Sequence, residues 1–297
     1  MNKTMPFASL VQSTVLSLGL IFIANIANAG APSQSSELAY YGTGFYSDLK
    51  AGVKDESLKS ELRTISRSQH ITQSGGYDQI VPSCGNNQNC YGHKVLGYFN
   101  ARVILMGQMY LVNQGKEYAV RDVYCDTNRN ASEFGSRPPA PNQIPQDTIV
   151  NTEHTWPQSK FNNKYNNDEQ KSDLHHLFPT DSKINATRGN HEFGEVQKDL
   201  ETLSCREPHF GLGGSGSEPV FEPPQNHKGT VARALFYFSI RYELPISQAQ
   251  EATLRKWNKD YPPDQAEVAR NNTVYKSQGS RNPFIDHPEL VDSIAQF

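Results

Sequence analysis

Three stretches in the middle of the chain decide the fold: NTEHTWP at residues 151–157, DLHHLFP at residues 173–179 and NATRGN at residues 185–190. β-Branched residues are frequent around the first stretch and predict a strand from Asp147 to Trp156. The leucines and the phenylalanine of the second stretch predict another strand or strand end. The third stretch has helix-compatible spacing from Ser182 to Asn190, with Gly189 placed to close the helix. We therefore expect a strand–strand–helix unit here.

The polar residues of this unit suit the hydrolysis of a phosphodiester bond. His154 supplies a neutral imidazole, whose pKa is suited to taking a proton from water. A hard cation must neutralise the charge that builds on the phosphate and on the leaving 3′ oxygen, and Mg²⁺ accepts a carboxylate plus an amide oxygen. Glu153 and Asn185 offer those two oxygens. Neighbours in a strand point to opposite faces, so joint action of Glu153 and His154 requires a bend or bulge.

The remaining polar residues of the unit have a structural and a functional interpretation. If His175 and His176 lie on a strand, one faces inward and one outward, so at least one of them is structural. We expect Asp173 and His176 to form an orienting pair behind the site. Arg188 either contacts phosphate or forms an ion pair at the end of its helix.

Six stretches together resemble the bacterial endonuclease I family, whose members are secreted or periplasmic non-specific nucleases with a ββα-metal active site. The resemblance covers most of the chain from about residue 90 onward, so it is specific although each stretch alone is weak. The stretches are EHTWPQS (153–159), DLHHL (173–177), NATRGN (185–190), YFNAR (98–102), VARA (231–234) and QGSRNPFIDHP (278–288).

The resemblance implies a role for each residue of the site. Glu153 and Asn185 would ligate a single Mg²⁺, with Mn²⁺ or Ca²⁺ able to replace it in binding. His154 would activate water, and a metal-bound water would protonate the leaving oxygen to give 5′-phosphate ends. Arg188 would contact phosphate. The chain departs from some members at Lys171, where they carry glutamate, and a lysine in this region could serve only as a point charge.

The first 29 residues have the pattern of a signal peptide. Lys3 gives a positive start, residues 15–26 are mostly apolar, and Ala27-Asn28-Ala29 is a small-x-small cleavage pattern. The alternative is a membrane anchor, but the apolar run is short for a bilayer span. We expect residues 1–29 to be removed, leaving a nuclease domain at residues 30–297. The mature protein would be periplasmic or secreted and not membrane-bound.

Export makes the four cysteines candidates for disulfides, because the compartment is oxidising. Cys84 and Cys90 flank a turn-rich loop, which favours pairing between them and leaves Cys125 with Cys205. Four cysteines allow three pairings, and a zinc site is the alternative, although no C-x2-C pair supports it.

Helices dominate both ends of the chain, so we expect an α+β fold, a mostly helical single domain that contains the ββα-metal unit. Two loops rich in glycine and proline lie at residues 132–146 and 211–229. Neither loop divides the chain into two parts that each have a full set of amphipathic elements, so we expect one domain. The expected elements are a helix with Leu58, Leu62 and Ile65 buried, a helix with Leu96, Phe99, Val103, Met106 and Tyr110 on one face, a strand at residues 118–124, a buried helix at residues 231–242, a helix capped by Ser247 with Gln250, and a helix from Asp264 to Gly279.

The charge of the chain restricts how it could bind a polyanion. The formal net charge is −3, which excludes the simple case of a strongly basic surface. The motifs and the resemblance together lead us to expect a Mg²⁺-dependent endonuclease that acts on DNA and also on RNA, without an obligate protein partner. Two alternatives remain: a secreted zinc hydrolase that uses His154, His175 and His176, and a metal-dependent nucleic-acid binding module that does not cut.

Overall fold

The computed structural model describes residues 39–214 and 218–297 together with Met1. Short strands and helices are interspersed along these residues. Residues 2–29 of the predicted signal peptide lie outside the described residues. The strands are β1 Gln69–Ile71, β2 Gln79–Val81, β3 Cys90–Gly92, β4 Leu111–Asn113, β5 Tyr118–Asp122, β6 Thr127–Asn130, β7 Val150–His154, β8 Leu177–Asp181, β9 Glu192–Phe193, β10 Val196–Glu201, β11 His209–Gly213 and β12 Pro219–Glu222. The α-helices are α1 Gly42–Ala51, α2 Asp55–Arg67, α3 Tyr98–Ile104, α4 Asn167–Ser172, α5 Ser182–Arg188, α6 Gln225–Tyr242, α7 Gln248–Asp260, α8 Gln265–Gln278 and α9 Pro283–Asp286.

The strands form four small sheets, with the orders β2-β1-β3, β4-β5-β6, β7-β8 and β10-β11-β12-β9. All pairs are antiparallel except that of β12 with β9. Single turns of 3₁₀ helix occur at Ala131–Glu133, Gln158–Lys160 and Leu174–His176, and a longer one at Pro288–Ser293. The predicted α+β class is confirmed.

The predicted strand–strand–helix unit is present as β7, β8 and α5. β7 pairs with β8 over five consecutive residues, from Val150 opposite Asp181 to His154 opposite Leu177. Helix α5 follows β8 directly, because the Asp181 side chain accepts hydrogen bonds from the first free backbone N–H groups of the helix. Gly189 ends the helix with a φ of 54°, a conformation that glycine adopts easily.

Helix α6 supplies much of the core. Fifteen of its eighteen residues are buried, as expected for a helix that is apolar nearly all round. Helix α7 begins at the predicted cap, where Ser247 accepts a hydrogen bond from the N–H of Gln250. Asp264 caps α8 in the same way, and Gly279 ends it with a φ of 76°. The C-terminal helices predicted from spacing and caps are therefore confirmed.

The predicted buried face around α3 is partly wrong. Met106 is buried, and Leu96 and Tyr110 pack against the core as predicted, but the side chain of Phe99 is 70% exposed. The helix begins only at Tyr98, after Leu96, and its buried residues are Ala101 and then Leu105 in the following turn. That turn, Leu105–Met109, is a π helix, and its extra residue shifts the helical phase of the residues after it.

The predicted loop at residues 211–229 is also partly wrong. β11 and β12 form a hairpin there, and α6 begins at Gln225. Pro219 occupies the first position of its strand, and Pro224 directly precedes the helix, so both prolines sit where they are tolerated. A glycine- and proline-rich composition marked the turn correctly but concealed the short strands beside it.

The two expected disulfides are present. Cys84 bonds to Cys90 with 5.4 Å between their Cα atoms, and Cys125 bonds to Cys205 with a Cα separation of 5.5 Å. The second bridge joins residues that are 80 apart in sequence. No helix in the described part of the chain is long and apolar enough to cross a bilayer.

The two bridges should contribute unequally to stability. Closing a loop restricts the unfolded chain more when the loop is long, so the 80-residue bridge should contribute about 4 kcal/mol and the 6-residue bridge about 2 kcal/mol. We expect the double variant Cys125→Ala/Cys205→Ala to lose roughly twice as much unfolding free energy in urea as Cys84→Ala/Cys90→Ala. Equal losses would contradict the loop-length argument.

Candidate active site

The metal-binding and base candidates lie next to each other near the end of β7, yet their side chains point to opposite faces. The register between β7 and β8 is regular through Glu153 and His154. No bulge interrupts this pairing, but the strand ends at His154 and the chain bends directly after it, at Thr155 and Trp156. Glu153 contacts Tyr124 and Arg188, whereas His154 contacts the rings of Tyr98 and His176.

Glu153 lies in a buried polar cluster between β7 and α5. Its Oε1 accepts a hydrogen bond from the Tyr124 hydroxyl at 2.9 Å and lies 3.0 Å from a terminal nitrogen of Arg188. Burial raises the pKa of the Glu153 carboxyl, while the Arg188 guanidinium and the Tyr124 hydroxyl oppose that effect. Asn151 lies two residues before Glu153 and on the same face of β7. Its Oδ1 accepts a hydrogen bond from the amide nitrogen of Asn185 at 2.8 Å.

The ring of His154 is oriented by a backbone carbonyl. Its Nε2 lies 3.2 Å from the carbonyl oxygen of Lys171, so Nε2 carries the proton and Nδ1 keeps a lone pair. Nδ1 in turn lies 3.3 Å from the amide nitrogen of Gln158, on an exposed turn. Burial, together with the nearby His176, lowers the pKa of His154 well below its usual range. The ring is therefore a neutral imidazole with an accepting nitrogen directed toward that turn.

His175 and His176 lie on the 3₁₀ turn Leu174–His176 and not on a strand, which corrects the expected alternation. Both are buried, because consecutive residues of a tight turn do not alternate between two faces. His175 Nε2 lies 3.0 Å from the carbonyl oxygen of Ser280, and His176 Nε2 lies 2.8 Å from that of Gln170. Burial lowers the pKa of each histidine to about 4, so both are neutral.

Asp173 orients the turn, but not through the imidazole of His176 as expected. Its Oδ1 accepts hydrogen bonds from the backbone N–H of His175 and from the side chain of Gln278. Its Oδ2 accepts one hydrogen bond each from the hydroxyls of Tyr237 and Tyr242. The expected Asp173–His176 pair is replaced by these four hydrogen bonds, because the carboxylate faces the C-terminal helices.

Arg188 forms the helix-end ion pair that was the alternative to a phosphate contact. Its side chain is only 2% exposed and lies against Glu153. Its terminal nitrogens also donate to the backbone carbonyls of His154 and Thr155 at 3.0 and 2.7 Å. The guanidinium thus fastens α5 to the end of β7, and its contact with phosphate stays a prediction.

The Glu153 side of β7 has the donor atoms that a hard cation needs. Both hydrogen-bonding partners of the Glu153 carboxylate reach Oε1, which leaves Oε2 for another partner. The Asn185 amide uses its nitrogen to bind Asn151 and offers its oxygen. Carboxylate and amide oxygens without sulfur or imidazole suit Mg²⁺.

A second acidic group lies elsewhere, where Asp122, Cys125 and Asp181 bring potential ligand atoms within 4.8 Å of one another. Arg129 pairs with both of these carboxylates, and the Cys125 sulfur belongs to a disulfide. Their oxygens also accept several backbone N–H bonds. This group is therefore an ion-pair cluster that stabilises the fold and is not a metal site.

Comparison with known proteins agrees with the motifs. The sequence model of the Endonuclease I family matches residues 87–289, more than half of the chain. The chain belongs to the endonuclease I family. The match contains β7, β8, α5 and the C-terminal helices that Asp173 contacts, so the whole candidate site lies inside the family's region.

Several curated proteins are similar to this member of the endonuclease I family. The extracellular ribonuclease of Bacillus subtilis is 34% identical over 48% of this chain and 53% of its own length. Endonuclease-1 of Buchnera aphidicola is 31% identical over 41% of this chain and 49% of its own. The periplasmic deoxyribonuclease of Aeromonas hydrophila is 30% identical over 40% and 48%. The chain thus spans about half the length of the curated relatives it matches.

Sequence reasoning missed three residues that contact the candidate catalytic groups. Tyr124 binds Glu153, Tyr98 packs with its ring centroid 5.4 Å from that of His154, and Gln158 faces Nδ1 of the same histidine. Tyr98 and Gln158 stand inside the family-like stretches, which was the available signal. Tyr124 is outside them, and only the folded chain brings it to β7.

The buried position of Arg188 predicts a large effect on stability. Arg188→Leu would leave the Glu153 carboxylate buried without its cation, and breaking such a pair costs about 3–5 kcal/mol. We expect urea unfolding to show a loss of that size. Lys183→Ala, which changes an exposed residue of the same helix, is the matched control and should have little effect. Wild-type stability of Arg188→Leu together with a loss of cleavage would instead assign Arg188 to phosphate binding.

Proposed function

We propose that this protein is a secreted, Mg²⁺-dependent endonuclease that hydrolyses DNA and RNA with little sequence specificity and leaves 5′-phosphate ends. The observation that carries the proposal is the setting of His154. It is a neutral imidazole, fixed by the Lys171 carbonyl, and its accepting nitrogen faces an exposed turn. The lone pair on this nitrogen and its position beside the turn suit a general base that acts on water.

His154 acts on the water through Nδ1. The Gln158 amide donates to this nitrogen in the structure, so it marks the position from which a water molecule could donate instead. A water molecule that takes this place donates its proton to Nδ1 as its oxygen attacks the phosphorus. The bond from the phosphorus to the 3′ oxygen breaks, the phosphate stays on the 5′ end of the next fragment, and the 3′ oxygen takes a proton from a second water. The Lys171 carbonyl keeps the proton on Nε2 and stabilises the imidazolium that forms.

Glu153 and Asn185 would hold one Mg²⁺ through their spare oxygens. When bound, the ion supplies positive charge to the phosphate and to the leaving 3′ oxygen. Arg188 neutralises the buried Glu153 and fixes the end of the strand through two backbone carbonyls. The Tyr124 hydroxyl, from the turn between β5 and β6, donates to the same carboxylate and limits the motion of the Glu153 side chain.

Low sequence specificity follows from the kind of contacts that these groups can make. The base, the metal ligands and the nearby lysines address water and phosphate, which every nucleotide carries. Contacts with the backbone position a nucleic acid but do not read its sequence. Binding should therefore be sensitive to salt and tolerant of sequence. Relatives named as a ribonuclease and as a deoxyribonuclease support a substrate range that includes both polymers.

Secretion rests on three observations that are independent of the site. The first 29 residues have a signal-peptide pattern, and all four cysteines are paired in disulfides. The relatives of Bacillus subtilis and Aeromonas hydrophila are named as extracellular or periplasmic enzymes. An oxidising space outside the inner membrane fits all three.

The zinc-hydrolase alternative has little support in the geometry. The Nε2 atoms of His154, His175 and His176 each lie near a different backbone carbonyl. Among the described residues, the three rings do not form a group of converging ligand atoms. Three histidines that share one zinc would need such convergence.

Removing the proposed base should stop cleavage and spare binding. His154→Ala should lower the rate of plasmid cleavage in Mg²⁺ by about 10²–10⁴-fold, because proton transfer to water is lost. DNA affinity, measured by fluorescence anisotropy, should stay within twofold of wild type, because the backbone contacts are made by other groups. Equal losses of DNA binding and of cleavage in His154→Ala would show that His154 has a structural role. If the wild-type protein binds DNA but does not cleave it, the protein is a binding module and not a nuclease.

The proposed metal site can be tested by titration. Asn185→Ala removes a neutral oxygen and should raise the Mg²⁺ concentration for half-maximal plasmid cleavage, and Glu153→Ala should raise it further because it removes the charged ligand. Asn185→Asp keeps an oxygen and should retain partial activity.

The exposed Asn163 supplies the matched control, since Asn163→Ala changes an asparagine away from β7 and α5. This control should have a wild-type titration curve. A wild-type curve for Asn185→Ala as well would rule out the proposed site.

A further inference from the structure

Exposed apolar side chains are concentrated beside the candidate base. Among the described residues the large hydrophobic side chains that are exposed are Met1, Val95, Phe99 and Leu200. Val95 lies three residues before α3 and Phe99 is the second residue of the helix, with exposures of 48% and 70%. We call Val95, Tyr98 and Phe99 the aromatic ridge.

The aromatic ridge adjoins the site directly. The ring of Tyr98 lies 5.4 Å from that of His154, centroid to centroid. Phe99 is the next residue, so its Cα lies 3.8 Å from that of Tyr98. The ring of Phe99 is therefore presented to solvent within one residue of a side chain that touches the proposed base.

Cations border the ridge. The Lys171 ammonium lies 4.5 Å from the centroid of the Tyr98 ring, and the Arg102 guanidinium lies 5.5 Å from it. Lys94 is exposed next to Val95. Asp147, 3.5 Å from Arg102, is the one acid paired with these three cations among the described residues. A positive border around an exposed aromatic ring complements a polymer that carries both phosphates and flat bases.

We propose that Phe99 stacks an unpaired base of the substrate next to the scissile phosphate, and that single-stranded nucleic acid is therefore the preferred substrate. This inference rests on the proposed nuclease function. Stacking on an aromatic ring is available to every base but requires a free base face, which a base inside a duplex does not offer. The ridge thus selects strandedness without selecting sequence.

The experiment measures steady-state cleavage of one oligonucleotide as a single strand and as a duplex of the same sequence, in Mg²⁺. Phe99→Ala removes the ring, and Phe99→Trp keeps a stacking surface. Leu200→Ala is the matched control, because it shortens an exposed apolar side chain on β10. Both positions are exposed, so the three variants should fold like the wild type.

The wild type should cleave the single strand with the higher kcat/KM. Phe99→Ala should raise KM for the single strand roughly 5- to 100-fold with kcat nearly unchanged, the range expected for one lost stacked base. Its effect on the duplex should be at least five times smaller. Phe99→Trp should restore KM, and its added fluorescence should be quenched on binding of the single strand. Leu200→Ala should match the wild type on both substrates.

Two outcomes would overturn the inference. Equal effects of Phe99→Ala on both substrates would make the ridge a general contact, and no effect on either would remove it from substrate binding. Both outcomes leave wild-type cleavage intact, so they differ from failure of the proposed function, in which the wild type cuts neither substrate.

Discussion

The buried carboxylate of Asp173 joins the active-site stretch to the C-terminal half of the chain. It accepts two hydrogen bonds from tyrosines of α6, one from Gln278 of α8 and one from the backbone of its own turn. Burial raises the pKa of this carboxyl, but attraction to the protonated forms of His175 and His93 at low pH and to the Arg241 guanidinium outweighs burial and holds the pKa below its usual range. An isolated buried charge would be costly, whereas a charge with four hydrogen bonds and a cation fixes its surroundings. The turn Leu174–His176 and the start of β8 are positioned by this carboxylate.

The position of β8 determines which side chains meet on β7. Because the register is regular, Glu153 and His154 separate to the two faces, and the oxygen donors stay apart from the imidazole. Arg188 connects the two sides, since one guanidinium contacts the Glu153 carboxylate and the carbonyl of His154. A change at Glu153 can therefore reach the backbone of His154.

Local signals in the sequence predicted the elements whose boundaries depend on local chemistry. Asp181, Ser247 and Asp264 each accept backbone N–H bonds at a helix start, and β-branched residues marked β7. Three features could not be predicted because they depend on distant partners. The π turn after α3 shifts the helical phase of the residues that follow it, the two histidines lie on a turn fixed by Asp173, and the tautomer of His154 is set by Lys171. Every residue has a backbone carbonyl, so the sequence could not indicate that the carbonyl of Lys171 would bind His154.

The charge of the site is more favourable to a polyanion than composition indicates. Residues 151–195 contain five basic and seven acidic residues, a formal charge of −2. Most of the acids are neutralised by cations that approach from elsewhere in the fold, since Asp173 and Glu169 lie near Arg241, Glu169 also pairs with Arg67, Asp181 pairs with Arg129, and Glu195 pairs with Lys228. Lys160 and Lys171, by contrast, form no ion pair with the described residues, and Lys171 lies over the Tyr98 ring beside His154. Folding therefore buries most of the charge of Asp173, Glu169 and Asp181 beside cations and leaves Lys171 without an ion pair next to His154. A protein with a net negative charge can in this way present a locally positive approach to phosphate, and the screening length of about 8 Å at physiological salt limits the effect to that approach.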